Sequence, residues 1–303
     1  MQTQTKHQKI LQSWQLYAFA LPAFLVVLIF SYFPMYGVVI AFQNFRATDG
    51  FFGSEWVGFE HFTRFFQSHH FWRLIRNTLA INVYGLVAAF PIPIILALAF
   101  NEIKDGKFKR ITQTVTYAPH FISVVVFAGM IISFASPETG IINNFLGLFG
   151  VAPIPFMQRP ELFRHVYVWT GIWQSTGWGT VIYIAALSGV DPSLHEAATI
   201  DGATRLQRNR YINLPSIMPT IIILLILNVG SLMASGFERI LLLQNPMNQA
   251  TSDVIATYVY EVGMMGGNFS FAAAIGLFNS AVNAVLLIVT NQISKKVSEV
   301  GLW

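Results

Sequence analysis

Charged residues are scarce in this sequence. Of its 303 residues, 11% are Asp, Glu, Lys or Arg and 54% are hydrophobic, whereas about 25% of the residues of a soluble domain are charged. A surface with so little charge suits contact with lipid. The 27 phenylalanines fit the same environment, because aromatic side chains are enriched at membrane interfaces. The composition therefore predicts a protein embedded in a membrane.

Cysteine is absent, which excludes disulfides, thiolate metal sites and a cysteine nucleophile. The sequence also lacks the G-x-x-x-x-G-K-[ST] loop that cradles nucleotide phosphates, so any ATP-driven activity needs another polypeptide. It contains no G-x-S-x-G or H-E-x-x-H motif that would support an intramembrane hydrolase. No extended basic patch indicates nucleic-acid binding.

Six stretches are long and apolar enough to cross a membrane. A transmembrane helix needs about 20 mostly apolar residues, and lipid would leave the backbone groups of an open strand without partners. The first stretch is far longer than the apolar region of a secretory signal, so we interpret it as a retained span. The sequence predicts an all-α, polytopic membrane protein with six transmembrane helices: Trp14–Phe42, Asn77–Phe100, Val115–Ala135, Val166–Val190, Ile217–Ser235 and Phe271–Ile293.

The lysines and arginines are divided unequally between the two sides of this arrangement. Eleven of the 18 lie in the two tails and in the second and fourth loops, which are shorter than the loops that hold the rest. By the positive-inside rule, the side with the denser positive charge is cytoplasmic. Both termini are therefore predicted to be cytoplasmic, and the even number of spans agrees.

The outer loops contain two apolar segments and three histidines. Apolar residues recur at near-helical spacing over Gly58–Ile75, which predicts either an amphipathic helix in the outer interface or a packed lid over the spans. Asp253–Gly267 is too short to be predicted as a seventh span. His61, His69 and His70 fit no compact metal-ligand spacing, so we expect solvated or interfacial roles for them.

The cytoplasmic segment between the fourth and fifth spans carries its own helix signals. Asp191 followed by Pro192 is typical of a helix start, and Gly202 can end that helix in the left-handed conformation. Ala203–Tyr211 is expected to form a second short helix, and Pro215 to lead into the next span. These residues predict a helix–glycine–helix elbow, suited either to transmitting movement to a partner or to serving as an amphipathic connector.

The same segment resembles the EAA loop of permeases in binding-protein-dependent ABC importers. That pattern is E-A-A, three residues, G, nine residues, then I-x-L-P, and it is filled here by Glu196-Ala197-Ala198, Gly202, Ile212, Leu214 and Pro215. Asp201-Gly202-Ala203 matches the common D-G-A form of the motif. The resemblance implies that six residues couple the permease to a separate ATPase: Glu196, Ala197, Ala198, Asp201, Gly202 and Ala203.

The resemblance also implies a fold and a set of partners. The fold is the transmembrane domain of a type I ABC importer, located in the bacterial cytoplasmic (inner) membrane. The implied partners are a second, homologous permease, two ATP-binding-cassette subunits and an extracytoplasmic solute-binding protein. ATP and Mg²⁺ would lie on the ATPase subunits, so this chain is expected to have no cofactor, no metal and no enzymatic activity of its own.

Further motifs suggest domain boundaries and a substrate class. Asn77-Thr78-Leu79 resembles the start of the family's conserved domain, expected at 77–293 between an N-terminal part, 1–76, and a cytoplasmic tail, 294–303. A narrower group, the LplB-type permeases for complex oligosaccharides and the permeases of the alginate importer, is similar in three stretches, Tyr32–Gly37, Gly53–Gly58 and Thr257–Tyr260. The outer arginines are compatible with an acidic oligosaccharide such as alginate, and equally with anchoring at the interface.

Substrate passage needs polar or aromatic side chains among the spans, and such groups normally face the bundle interior. The candidates are Trp173, Gln174, Trp178, Asn228, Asn279 and Asn283. The alternative to a role in substrate passage is hydrogen bonding between helices, which is at least as common for amides in membranes. Glu238 and Arg239, at the outer end of the fifth span, could gate the path, but mutual pairing is the favoured interpretation.

Two other functional classes compete with the importer. A secondary transporter driven by an ion gradient would need inward-facing ionisable residues or an inverted repeat, and the predicted spans contain almost no charge. A non-transporting membrane scaffold would not require an EAA elbow.

Overall fold

The computed structural model describes residues 14–234, 236–298 and 300–302, and this part of the chain is almost entirely helical. A single antiparallel strand pair, β1 and β2, joins Gln43 to Trp56 and Asn44 to Glu55. The helices, in chain order, are α1 Trp14–Phe42, α2 Gly50–Gly53, α3 Glu60–Gln67, α4 Phe71–Glu102, α5 Lys107–Phe121, α6 Val124–Phe134, α7 Ile141–Gly147, α8 Pro160–Leu187, α9 Pro192–Ile200, α10 Arg205–Ser216, α11 Met218–Gly230, α12 Phe237–Leu243, α13 Gln249–Ser252, α14 Ile255–Tyr260 with a π-helical turn Glu261–Met265, and α15 Phe269–Ser298.

Three helices, α1, α4 and α15, are by length and composition able to cross a membrane alone. Two bent pairs, α5 with α6 and α10 with α11, raise the number to five if each pair is one span. The remaining predicted span corresponds to α8, whose 28 residues extend about 42 Å. This helix is less apolar than α1, α4 and α15 because it carries Thr170, Gln174 and Ser175 among other polar residues.

Two of the predicted spans are not continuous helices with the predicted bounds. The third, Val115–Ala135, breaks between α5 and α6 with a bend of 98°. Pro119 lies in the last turn of α5, and the Ser123 hydroxyl begins a new helix by accepting a hydrogen bond from the backbone N–H of Val126 at 3.4 Å. The fifth, Ile217–Ser235, is helical only over α11, and Ser235 lies outside the described residues.

Three apolar clusters hold the helices together. One gathers Phe127 of α6, Phe163 of α8 and Ile240 of α12. A second packs Phe65 of α3 against Ile275 of α15, together with residues of α4 and α14. The third joins the C-terminal halves of α4 and α8 to the start of α11. Helix α4 contributes to all three clusters and α8 to the first and third, so these two helices connect the apolar core of the bundle.

The outer segment Gly58–Ile75 is not one amphipathic helix. The structure divides it into α3 and the first turn of α4, with a break at Ser68–His70. Phe65 is fully buried, with its ring 5.6 Å from that of Phe278 in α15. This contact corresponds to the packed-lid alternative. The expected solvated or interfacial role is wrong for His61, which is 8% exposed and has its Nε2 3.1 Å from the carbonyl oxygen of Gln43.

Candidate functional site

The first helix of the elbow, α9, is started by the side chain of Asp191. Its Oδ1 accepts a hydrogen bond of 2.9 Å from the backbone N–H of Ser193, and Pro192 occupies the first helical position, where no N–H is needed. The hydrogen bonds from Ser193 hold the pKa of the Asp191 carboxyl below its ordinary value. The predicted helix start is confirmed.

The turn between the two elbow helices depends on Gly202. Its φ of 75° is in the left-handed region, where a side chain would be strained. The second helix begins at Arg205 rather than at the predicted Ala203, because Thr204 caps it. Thr204 and Gln207 form a reciprocal capping box, in which the Gln207 Oε1 accepts a 2.7 Å hydrogen bond from the Thr204 backbone N–H.

The predicted coupling residues lie at the surface of this elbow. Glu196, Ala197, Asp201 and Gly202 are exposed, and Ala198 and Ala203 are half-buried. Within the described part of the chain Glu196 forms no ion pair. Large apolar side chains on the same elbow are equally uncovered, with Ile200 at 86% and Leu206 at 77% exposure. The elbow therefore presents both an unpaired carboxylate and apolar area to whatever lies beside it.

The elbow is joined firmly to the spans at its base. Asn213 is fully buried and donates a hydrogen bond of 2.6 Å to Oδ1 of Asn209. Ile217, at 1% exposure, packs in the cluster with Ile94 of α4 and Leu187 of α8. The base of the elbow is therefore packed against α4 and α8 at the point where the chain enters α11.

A cavity of about 760 Å³ opens between α4, α5, α8, α11 and α12. Three of the six predicted pathway residues, Gln174, Trp178 and Asn228, line it. Gln174 also donates a 3.2 Å hydrogen bond to the Ile122 carbonyl, at the break between α5 and α6. The amide of Asn228 donates to the Leu224 carbonyl of its own helix at 2.7 Å. The cavity thus combines amide groups with an aromatic wall.

The other three predicted pathway residues do not line this cavity. Trp173 stacks on Phe127, with ring centroids 5.7 Å apart. Asn279 and Asn283 share a face of α15, as their spacing predicts, and both contact the backbone of Met233: Asn283 accepts from its N–H at 2.9 Å, and Asn279 donates to its carbonyl at 3.3 Å. These amides satisfy backbone groups just beyond the end of α11, as the helix-bonding alternative expects.

His120 and Tyr167 are two of the lining residues that were not among the predicted pathway candidates. The ring of His120, in the last turn of α5, stacks parallel to the Trp178 indole with centroids 4.9 Å apart and an interplanar angle of 1°. Tyr167 of α8 is buried, and its ring is one wall of the cavity. Pro119 and Ser123 were readable signals of the broken span, although nothing in the sequence pointed to the stacking of His120.

The favoured pairing of Glu238 with Arg239 is wrong. No ion pair joins them among the described residues, because consecutive residues of a helix point in different directions. The Arg239 guanidinium lies instead over the ring of Tyr167, 3.9 Å from its centroid. It also rests against Gly171, where a Cβ atom would clash with it. Arg239 is thereby brought to the cavity wall.

A polar network ties the predicted outer ends of α4 and α8 to the segment before α14. Arg73 and Asp253 form an ion pair of 2.9 Å. The buried Asn77 amide donates to the carbonyls of Ala250 and Asp253 at 3.0 and 2.9 Å, and its Oδ1 accepts from Arg164 at 2.8 Å. Burial raises the pKa of the Asp253 carboxyl, against the opposing effect of Arg73. This network orders the segment that faces away from the elbow.

The histidines of the outer loop are not gathered into a metal site in the described structure. The rings of His69 and His70 are tilted by 42° with centroids 3.9 Å apart, and His70 stacks on Tyr258. Burial, with the nearby charges of His69 and Arg73, lowers the pKa of His70. Among the described residues there is no group of three or more His, Asp or Glu side chains that could hold a metal ion.

Comparison with known proteins gives concordant matches. The profile of the family described as "Binding-protein-dependent transport system inner membrane component" matches residues 89–299. The polygalacturonan/rhamnogalacturonan transport system permease protein YteP of Bacillus subtilis is 41% identical over 97% of this chain and 92% of its own length. Protein LplB of Bacillus subtilis is 43% identical over 95% of this chain and 91% of its own.

A solved structure is similar over the whole chain. It is a crystal structure of a bacterial alginate ABC transporter in complex with an alginate pentasaccharide-bound periplasmic protein. The match has a TM-score of 0.89 at 39% sequence identity and covers 99% of this chain and 100% of the other. The all-α architecture described above is therefore shared with a chain of that transporter.

Proposed function

The chain belongs to the family of binding-protein-dependent transport system inner membrane components, and we propose that it is the permease subunit of an ATP-driven oligosaccharide importer. The observation that carries this proposal is the exposed elbow, with an unpaired Glu196 and uncovered apolar side chains. Such a surface offers apolar area for another chain to cover, and Glu196 is placed to pair with an Arg or Lys of that chain. YteP is named for polygalacturonan and rhamnogalacturonan transport, and the similar solved transporter is named for alginate, which supports an oligosaccharide substrate.

The proposed mechanism is alternating access. Two ATPase subunits, which hold ATP and Mg²⁺, close on ATP binding and move the elbow of this chain together with that of a second permease. Because the elbow is packed on α4, α8 and α11 through Ile217 and its neighbours, its movement changes the exposure of the cavity that these helices line. The residues we propose for coupling remain Glu196, Ala197, Ala198, Asp201, Gly202 and Ala203.

In this proposal, the sugar passes through the cavity of α8. Trp178 stacked with His120 offers an apolar surface for a pyranose ring. Gln174 and Asn228 supply amides for its hydroxyl groups. We retain Trp173, Asn279 and Asn283 as proposed contacts that would require a second permease or another conformation. No carboxylate lines the cavity in the described residues, so nothing there favours coupling to a proton or sodium gradient.

We further propose that the chain lies in the bacterial cytoplasmic membrane with both termini and the elbow in the cytoplasm. The segment ordered by Asn77 and the Arg73–Asp253 ion pair would then face the periplasm or cell exterior and receive the loaded solute-binding protein.

Transport by the reconstituted complex tests this proposal. The chain, its second permease, the ATPase pair and the binding protein are placed in proteoliposomes with ATP inside, and uptake of an oligosaccharide is measured. We expect uptake to depend on ATP and on the binding protein. Glu196→Lys should lower uptake by about tenfold or more, because it replaces an attraction across the interface by repulsion, while membrane insertion is unchanged.

Glu138→Lys is the matched control, since Glu138 is also an exposed carboxylate but lies in the loop between α6 and α7. Its uptake should remain at the wild-type level. Uptake that proceeds without ATP, or that follows an imposed ion gradient, would contradict the proposed function. Normal ATP-dependent uptake by Glu196→Lys would contradict the coupling role of the elbow alone.

A further inference from the structure

Arg239 is the one permanently charged side chain that lines the cavity in the described structure. The other lining residues are apolar, aromatic or neutral polar, apart from the titratable His120 and Tyr side chains. Within the described residues Arg239 forms no ion pair, and its guanidinium is partnered by the Tyr167 ring alone. In membrane proteins, a charged side chain that faces an internal cavity normally has a functional reason.

The N–H donors of Arg239 have no hydrogen-bond acceptor among the described residues. The guanidinium lies 3.9 Å above the Tyr167 centroid, and an aromatic ring engages the flat face of an arginine, not its N–H edge. A guanidinium has five N–H donors in the plane of that edge. The terminal nitrogens of the guanidinium lie against Gly171 of α8, where a Cβ atom would clash with them. Gly236 gives room to the Tyr167 hydroxyl, 2.7 Å from where a Cβ atom would be. Two glycines and one tyrosine thus hold a cation with its donors unused.

We infer that Arg239 is a specificity-determining residue that binds the carboxylate of an acidic sugar unit during passage. This inference rests on the proposed function and narrows it to oligosaccharides that contain uronic acids. A carboxylate matches the guanidinium edge with two parallel hydrogen bonds, the arrangement that makes such pairs strong and directional. The cavity that Arg239 lines also contains Trp178 and the amides of Gln174 and Asn228, so the charge and the rings of an acidic oligosaccharide are recognised along one path.

Uptake by substituted complexes tests the inference. The full importer, with either Arg239 or Arg239→Gln, is given trisaccharides of galacturonic acid and of mannuronic acid, and the methyl esters of the same trisaccharides. We expect Arg239→Gln to lower uptake of the acids by about tenfold, which corresponds to the loss of one hydrogen bond to a charged group. Uptake of the esters should change less than twofold. Arg239→Lys keeps the charge without the planar edge and should give an intermediate loss.

The complexes with Arg239 and with Arg239→Gln use the same binding protein. The ratio of their uptake rates therefore reports on the permease alone. Arg159→Gln makes the same substitution at an exposed arginine outside the cavity and should leave both kinds of uptake unchanged. Equal losses with acids and esters would overturn the inference, because they would assign Arg239 to folding or to a contact with the second permease. A wild-type complex that takes up neither acids nor esters contradicts the proposed function instead.

A labelling experiment keeps the inference testable without transport. The chain has no cysteine, so Ser231→Cys places a unique thiol of this chain on the cavity wall. In the assembled complex, millimolar acidic trisaccharide should slow maleimide labelling of this thiol when Arg239 is present and should no longer do so with Arg239→Gln. Absence of protection in both backgrounds, or equal protection in both, would overturn the inference.

Discussion

Substitutions of Gly202 can separate two contributions to transport: the backbone conformation of the elbow and the contact of the elbow with a partner. Its φ is 75°, and a residue with a Cβ atom pays about 1–2 kcal/mol to hold this left-handed conformation. A Cβ atom at this position would meet nothing within 4 Å in the chain itself. Any effect of a substitution in the isolated permease must therefore come from the backbone, and any additional effect in the complex must come from a partner.

The backbone explanation and the contact explanation predict different orders of activity for Gly202→Asn, Gly202→Ala and Gly202→Val. Asparagine is larger than alanine but tolerates the left-handed conformation better, and valine is both β-branched and bulky. If the turn matters, Gly202→Asn retains more activity than Gly202→Ala, and Gly202→Val is worst. If only space against the ATPase matters, Gly202→Ala should be better than Gly202→Asn. A cost of 1–2 kcal/mol weakens the turn by a factor of about 5–30 relative to open alternatives.

The assay is the amount of oligosaccharide taken up per ATP hydrolysed in proteoliposomes, together with amide exchange over residues 199–206. We expect Gly202→Val to hydrolyse ATP with little uptake and to exchange faster in this segment, while the amount of inserted complex is unchanged. Gly202→Asn should keep most of the uptake. Equal uptake by all three variants, or better coupling by Gly202→Ala than by Gly202→Asn, would refute the role assigned to the turn.

Three further predictions follow from buried contacts. Asn77→Ala removes three hydrogen bonds from a buried site and should lower the free energy of unfolding by about 3 kcal/mol, seen as a lower melting temperature of the purified complex. Gly177→Ala forces a Cβ atom against the Thr116 backbone and should cost about 1–3 kcal/mol, whereas Gly85→Ala, with open space around its Cβ position, should be neutral. Trp178→Ala should reduce uptake by about threefold to tenfold and more than Trp173→Ala does, so the reverse order would place the sugar path outside the cavity.

The elements predicted best from sequence are those for which a single physical requirement dominates. The apolar runs locate α1, α4 and α15 because lipid demands long stretches without charge. The elbow was predicted because Asp191, Pro192 and Gly202 each act locally, through a cap, a fixed φ and a positive φ. These signals need no knowledge of the remainder of the chain.

Other features depend on contacts between distant residues, or on local helix-capping and helix-breaking residues whose effect is smaller than that of a long apolar run. The capping box of Thr204 and Gln207 is a local signature that would have placed the start of α10 correctly. Pro119 and Ser123 likewise marked the break in the third span. In contrast, the position of Arg239 over Tyr167 joins residues 72 apart in sequence, and no periodicity within either helix predicts it.

Helix α8 extends without a break from the cavity wall toward the elbow. Gln174 on the cavity wall and Leu187, the last residue of α8 before the elbow, are separated by 13 positions, or about 20 Å along the helical axis. Over that length, a tilt of about 10° displaces the far end by about 3 Å, close to the thickness of a sugar ring. A modest tilt at the elbow end of α8 is therefore large enough to change the contacts with a single saccharide unit.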